Sequence, residues 1–419
     1  MGSAAAATLD VDRPVTGDRL HALDALRAFA LILGIFFHGT AGYVENFPVA
    51  LWPMREPPST ALAAFFFVSH MFRMSLFFLI AGFFGRMLIE RRGTAGFIRD
   101  RAKRILLPLV AGLPIILILF AVLAGLGFLL SGMSMTELLR MSEQQNAPAP
   151  DSTFPWVHLW FLYYLLLFYA GAIVIRGIAG FADRRGRVLV PFDALVRFCL
   201  GGVRGAVVIG VPLAAYFYAL EGWPSWTGLL TPMTLPPQPP SVLAYGVPFT
   251  FGWLAHRQID RLLALERRWV PFMAAAVALT IVSLWLGGIT PRWEPYLDDR
   301  TLMWYSAAYV IGIWCWIFGL IGLAVRYLSE ASPLRRYVAD ASYFLYLLHL
   351  PVLAFFAAWW NALPWHWTVK YPLQIAATLA VLFLTYRYLV RSTFIGATLN
   401  GRRYPRSSRV RAPEPAEAI

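Results

Sequence analysis

Apolar residues in this chain come in runs long enough to cross a bilayer, and basic residues cluster in the short stretches between them. A span needs roughly 20 mostly apolar residues, because the hydrocarbon is ~30 Å thick and a helix rises ~1.5 Å per residue. Backbone polar groups cannot stay unpaired in lipid, so each run must be a helix. The runs predict spans near 24–44, 61–88, 105–130, 156–178, 205–220, 241–257, 270–289, 302–325, 341–361 and 372–390. The fifth and sixth are short and carry Pro212 and Pro248. The expectation is an all-α, polytopic membrane bundle of about ten transmembrane helices: a tail over 1–20, a membrane domain over 21–391 and a basic tail over 392–419.

Orientation follows from the basic residues. With the N-terminus inside, the outer loops hold only Arg55, Arg140, Arg292, Arg300 and Lys370 out of 36 lysines and arginines, and Arg73 lies within the second span. The remainder fall in inner loops, tails or inner helix ends, which places both termini in the cytoplasm. The outer loop 221–240 is rich in Pro and Trp, and 131–155 is long enough to fold over the outer mouth. The final RAPEPAEAI reads as a disordered tail.

Composition agrees. The chain of 419 residues is 59% hydrophobic and 14% charged, where a soluble protein keeps about a quarter of its residues charged. A net charge of +13 invites a nucleic-acid partner, but the positions of the charges, in short loops rather than on a polar stripe, exclude one. Cys199 and Cys315 offer no metal spacing and no disulfide framework. The polar first ~20 residues lack the apolar core of a cleaved signal peptide.

Ionisable residues inside spans are costly and are therefore candidates for function. In the first span Asp24 and Arg27 sit at i, i+3, and His38 follows Arg27 by eleven residues, about 16 Å along the same face. A structural Asp24–Arg27 pair and a His38 bonded to a neighbouring helix is the bland alternative. In the second span His70 and Arg73 are again at i, i+3, near the depth of His38. No acid lies at that depth, so Arg73 suits an anionic ligand or a developing negative charge better than a salt bridge. Gly82 and Gly85 read as close-packing positions. The stretch from Arg86 through Arg91, Arg92, Arg99, Arg101, Lys103 and Arg104 is the most basic in the chain. It serves either topology and anionic lipid contact, or a phosphate-rich cytoplasmic ligand, whose oxygens suit arginine forks. His158 and Trp160 open the fourth span at the outer surface, and His349 lies several residues into the ninth, before Pro351.

The runs RLHALDALRAFALILGIFFH, FRMSLFFLIAGFF, RAKRILLP, HLWFLYYLL and SYFLYLLHLP resemble, in order and spacing, the membrane-bound acyltransferase family 3. The family pattern of an Arg, ten residues and a His on the first helix is matched by Arg27 and His38. The pairing of LGIFFH with HMFRMSLFF and HLWFL is most similar to the branch that succinylates periplasmic glucans. Ala81 departs from the Ser that usually precedes the glycine, and Leu165 to Phe168 lack a Glu found there in the family. The resemblance implies transfer of an acyl group in the bacterial inner membrane. The donor would be a cytoplasmic acyl-CoA, succinyl-CoA or acetyl-CoA, acting as co-substrate with no tightly bound cofactor. The acceptor would be a hydroxyl of a periplasmic or exported glucan or other carbohydrate. Asp24, Arg27, Arg86, Arg101 and Arg104 would form the donor site. His38 would be the general base or a transient acyl carrier, Arg73 would hold the oxyanion or a succinyl carboxylate, and His70 would orient them. His158, Trp160 and His349 would place the acceptor. Transport or flipping of a sugar or lipid-linked sugar uses the same groups without chemistry, although no internal repeat supports it. A scaffold leaves Arg73 and the histidines unexplained.

Overall fold

The computed structural model describes residues 18–47, 52, 54, 56–134, 136, 137, 140, 154–182, 187–224, 226–292, 296–401 and 404. Among them the long elements are all α-helices: α1 Asp18–Gly39, α2 Thr60–Arg101, α3 Leu107–Leu130, α4 Trp160–Ala182, α5 Leu189–Cys199, α6 Val203–Tyr218, α7 Pro239–Ala255, α8 Trp269–Gly287, α9 Asp299–Tyr327, α10 Pro333–Trp360, α11 Trp367–Thr385 and α12 Phe394–Asn400. Several starts are capped by side chains. Ser59 accepts from the Leu62 N–H (3.4 Å) before α2, Asp298 from Thr301 (3.1 Å) before α9, and Ser332 from Arg335 (3.4 Å) before α10, where Pro333 opens the first turn.

A helix occupies each of the ten predicted spans. Length and apolarity alone qualify seven helical runs for crossing, or eight when the pair α5–α6, bent by 119°, is taken as one. The difference from ten has physical causes. Thr60–Leu130 counts there as one run of 71 residues, which if straight would extend about 107 Å, several times the hydrocarbon thickness. It breaks at Gly93, whose φ of 68° and ψ of 175° lie outside the helical region. The other two, α6 and α7, are only 16 and 17 residues long. The basic stretch after the second span, expected as a loop, is helical on both sides of Gly93 and passes through a π-helical turn, Ala102–Leu106, into α3. Two further helices, α5 and α12, were not foreseen. The tail is helical over α12, and RAPEPAEAI and most of 1–20 lie outside the described residues.

Contacts fix the helix directions. The Arg27 guanidinium lies over Phe84 at 5.7 Å and Phe37 stacks on Phe66 at 4.3 Å, so α1 and α2 are antiparallel. Running with α2 are α4 (Phe77 to Phe161, 4.5 Å; Tyr169 hydroxyl to the Ala81 carbonyl, 3.0 Å), α7 (Phe78 to Tyr245, 5.2 Å; Gly82 against Trp253) and α9 (Phe67 to Tyr309, 5.8 Å; Phe72 to Trp316, 5.0 Å). The helices alternate as successive crossings require. The second helix is thus the hub, packed by α1, α4, α7 and α9. Its approach to α7 is set by two glycines: a Cβ on Gly82 would strike the Phe249 carbonyl, and one on Gly252 the Leu79 carbonyl.

Opposite the basic end, the Lys370 ammonium is held by both oxygens of Glu56 (2.8 and 2.7 Å), with side chains only 4% and 8% exposed. This pair ties the chain between α1 and α2 to the start of α11. Glu56→Gln leaves a buried ammonium without its counter-charge and should destabilise the fold by about 3–5 kcal/mol. The double variant Glu56→Met, Lys370→Met should recover most of that loss. Thermal unfolding of the three purified proteins checks it; equal unfolding temperatures for wild type and Glu56→Gln would refute it.

Candidate active site

Three elements bring their imidazoles together, and a fourth histidine lies nearby on α2. His38 ends α1, His70 lies on α2, His158 precedes α4 and His349 lies mid-way along α10. The His38 and His349 rings are 5.2 Å apart and the His349 and His158 rings 4.9 Å apart. Arg73, one turn past His70, lies within electrostatic reach of all four imidazoles. Its guanidinium covers the Phe37 ring at 4.6 Å and reaches Gly34, where a Cβ would stand 2.6 Å from Nη1. A side chain at 34 would displace the guanidinium from this position. Arg73 has no carboxylate partner among the described residues, and its buried Nε has no hydrogen bond.

Proton positions follow from the partners. His349 Nδ1 lies 2.6 Å from the Tyr346 carbonyl, which can only accept. Nδ1 therefore carries the hydrogen, and Nε2 of the neutral ring presents a lone pair. That Nε2 is buried and unpaired, as are both ring nitrogens of His158, which rest beside the Tyr346 and Leu347 carbonyls without closing a hydrogen bond. Pro351 has no N–H to offer the Leu347 carbonyl. The Tyr346 hydroxyl donates to the His158 carbonyl at 2.7 Å and fixes α10 against α4. Four buried polar atoms of these residues thus have no hydrogen-bond partner among the described residues: His158 Nδ1 and Nε2, His349 Nε2 and Arg73 Nε. Buried groups rarely remain unpaired unless something else satisfies them. His38 is the partly exposed member of the cluster.

Towards the basic end, Phe77, Phe161, Tyr343 and Tyr346 form an aromatic layer, with Phe161 5.9 Å from Tyr346 and Tyr343 6.3 Å from Tyr346. Phe77, Phe161 and Tyr343 are also the deep wall of a cavity of about 150 Å³ whose cationic lining is Arg27, Arg101 and Arg104. Arg27 and Asp340 are shared with an adjoining cavity of about 420 Å³ that adds His21, Asp24, Arg335 and Arg336. Arg27 pairs with Asp24 at 3.2 Å. Arg101 lies over Phe97 and Tyr169 (5.3 and 5.0 Å) with its Nε buried and unpaired. Arg104 donates from Nε and Nη2 to the Leu399 carbonyl at the end of α12 (3.1 and 2.9 Å).

Residues 20–387 match the acyltransferase domain of family 3, which is most of the chain. The chain belongs to the acyltransferase-3 family. It is a membrane acyltransferase. It is also similar to the protein named glucans biosynthesis protein C from Salmonella typhimurium, at 25% identity over 82% of this chain and 85% of that protein. The protein of that name from Escherichia coli O1:K1 is 24% identical over 83% and 85%. No solved structure matches.

Several residues of this acyltransferase sit differently from the sequence expectation. Trp160 is not at an outer rim but buried against Tyr245 (5.2 Å) and Phe78 (6.4 Å). Arg86 is apart from the Arg27 cavity: its Nε donates to Glu90 at 2.6 Å and it lines a separate groove. His70 turns away from His38 into the loop 221–240, with Nδ1 donating to the Thr227 carbonyl at 3.1 Å and Nε2 3.5 Å from the Thr231 hydroxyl. That loop packs into the bundle. Trp226 stacks on Phe66 at 6.1 Å, and the Tyr309 and Tyr245 hydroxyls donate to the Thr227 and Leu230 carbonyls. Of the other outer loop, 131–155, residues 141–153 lie outside the described residues. Tyr343, Tyr346, Arg335 and Arg336 were missed. The two tyrosines precede His349 at i−6 and i−3, a spacing legible as one helix face.

Filling the space at Gly34 tests Arg73's placement. Gly34→Val should push the guanidinium aside and lower acyl transfer by at least tenfold, while the purified protein keeps its wild-type elution volume and unfolding temperature. Full activity in this variant would show that the Arg73 position is immaterial.

Proposed function

We propose that this acyltransferase moves an acyl group from an acyl-CoA at the basic end, in the cytoplasm, to a hydroxyl of a glucan on the periplasmic side of the bacterial inner membrane. The observation that carries this is the cluster of four orphaned atoms, separated by one aromatic layer from an arginine-lined cavity. Arg27, Arg101 and Arg104 hold the phosphates of the donor, for which guanidinium forks are suited. The thioester passes the aromatic layer and its carbonyl reaches Arg73. His38 takes the proton of the acceptor hydroxyl as that oxygen attacks. The C–O bond forms, the C–S bond breaks, and the proton leaves on the coenzyme thiol. Arg73 stabilises the oxyanion, or binds the free carboxylate of a succinyl donor. His349, with Nδ1 tied to the Tyr346 carbonyl, presents its Nε2 lone pair beside His38 to accept from the imidazolium as it forms.

Membership of an acyltransferase family and name-level similarity to glucan biosynthesis proteins favour this reading over transport. Succinyl is the better-supported acyl group, because a buried guanidinium without a carboxylate matches a donor that brings one.

The test is transfer from labelled succinyl-CoA and acetyl-CoA to glucan by the purified protein. His38→Ala should lower both rates at least a hundredfold with the fold intact. Arg73→Met should abolish the preference for succinyl-CoA over acetyl-CoA. Mass spectrometry of envelope glycans from a deletion strain should show the loss of the matching ester. Unchanged transfer in His38→Ala would remove the mechanism, and an unchanged ester profile would remove the acceptor.

A further inference from the structure

The basic-end half of α4 stands away from the bundle. Ile175 and Phe181 are 69% and 87% exposed, and Gly171 and Gly180 have no atom within 4 Å of where a Cβ would lie. Between this half-helix, α7 and α5 runs a groove of about 1020 Å³. Its walls are apolar, with Phe168, Phe192, Leu195, Val247 and Leu254 prominent. Among the described residues the charged groups in its lining are Arg86, Arg176 and Arg257. Each lies near the basic end of a helix directed there. Arg257 is clamped by Asp193 (2.9 and 3.1 Å from Nε, 2.9 Å from Nη2) and Arg86 by Glu90 (2.6 Å). Arg176 has no ion pair among the described residues. The groove mouth therefore carries a net positive charge. Asp193 is buried while its helix α5, turned 119° from α6, exposes Val190 and Phe198 at 59% and 55%, the arrangement of a helix lying in the bilayer interface.

A stand-off helix with small residues facing an open apolar slot loses its packing contacts unless something apolar fills the slot. The arginines at one end select what fills it. We propose that the groove is a binding site for an anionic diacyl phospholipid of the leaflet at the basic end, with one acyl chain between α4 and α7 and its phosphate at Arg176 and Arg257. Basic pockets between membrane helices recognise anionic headgroups in this way. The site involves none of the four histidines and does not depend on the acyl-transfer reading. Its occupancy holds α4, and through the residues before it His158, against α10.

Native mass spectrometry of the full-length protein, with phosphatidylglycerol or phosphatidylcholine of the same chains added, tests the site. Wild type should retain phosphatidylglycerol at least tenfold more strongly. Arg176→Gln should bring the two lipids to parity. Gly171→Trp, which fills the slot from a position with free space, should lower retention of phosphatidylglycerol at least tenfold. Both substitutions face lipid, and elution volume confirms folding. Equal retention of the two lipids by wild type, or undiminished phosphatidylglycerol retention in either variant, overturns the proposal.

Discussion

A guanidinium buried in an apolar bundle, with no carboxylate beside it among the described residues, is the constraint around which this molecule is arranged. Removing such a charge from water costs several kcal/mol even after the surroundings relax. Arg73 has partial compensation from the Phe37 ring, over which its guanidinium lies at 4.6 Å. An aromatic face does not supply a full negative charge. A guanidinium placed this way suits an anion, or a group becoming one. The orphaned nitrogens of His158 and His349 point to the same conclusion, since they too have partners left to find.

The rest of the bundle holds that arrangement in register. Because α2 contacts four other long helices, Arg73 is placed by the fold and not by a loop. The Gly82 and Gly252 crossing lets α7 lie against α2 at backbone distance. On one side an aromatic layer divides the imidazoles from the basic cavities. On the other, the loop 221–240 covers His70 and is pinned by tryptophan and tyrosine hydrogen bonds. Excluding water from both sides strengthens every electrostatic interaction between them.

The basic end serves more than one purpose. Arg27, Arg101 and Arg104 converge on one cavity, with Arg27 and Arg101 also beside Asp24 and Asp100 (3.2 and 3.4 Å), while Arg86 and Arg257, paired with Glu90 and Asp193, face another. Arg104 also holds the last turn of α12 through the Leu399 carbonyl, favourable for a cation at a helix C-terminus. Similar side chains thus divide between two cavities and a helix cap according to how the packing turns each one.

The helical spans were legible in the chain because lipid leaves the backbone no alternative, and run length measures hydrocarbon thickness directly. Arg27, His38, His70 and Arg73 were legible as candidates because an ionisable group in such a run is expensive wherever it points. Where each pointed was not legible. Periodicity gives a face, not a neighbour, so the turn of His70 towards Thr227, the pairing of Arg86 with Glu90 and the burial of Trp160 were decided only by packing. The helices α5 and α12 escaped because an interfacial helix needs no long apolar run. The meeting of His38, His158 and His349 joins residues more than a hundred positions apart, and only the folded bundle, by choosing which helices touch, could bring them within one ring's breadth of each other.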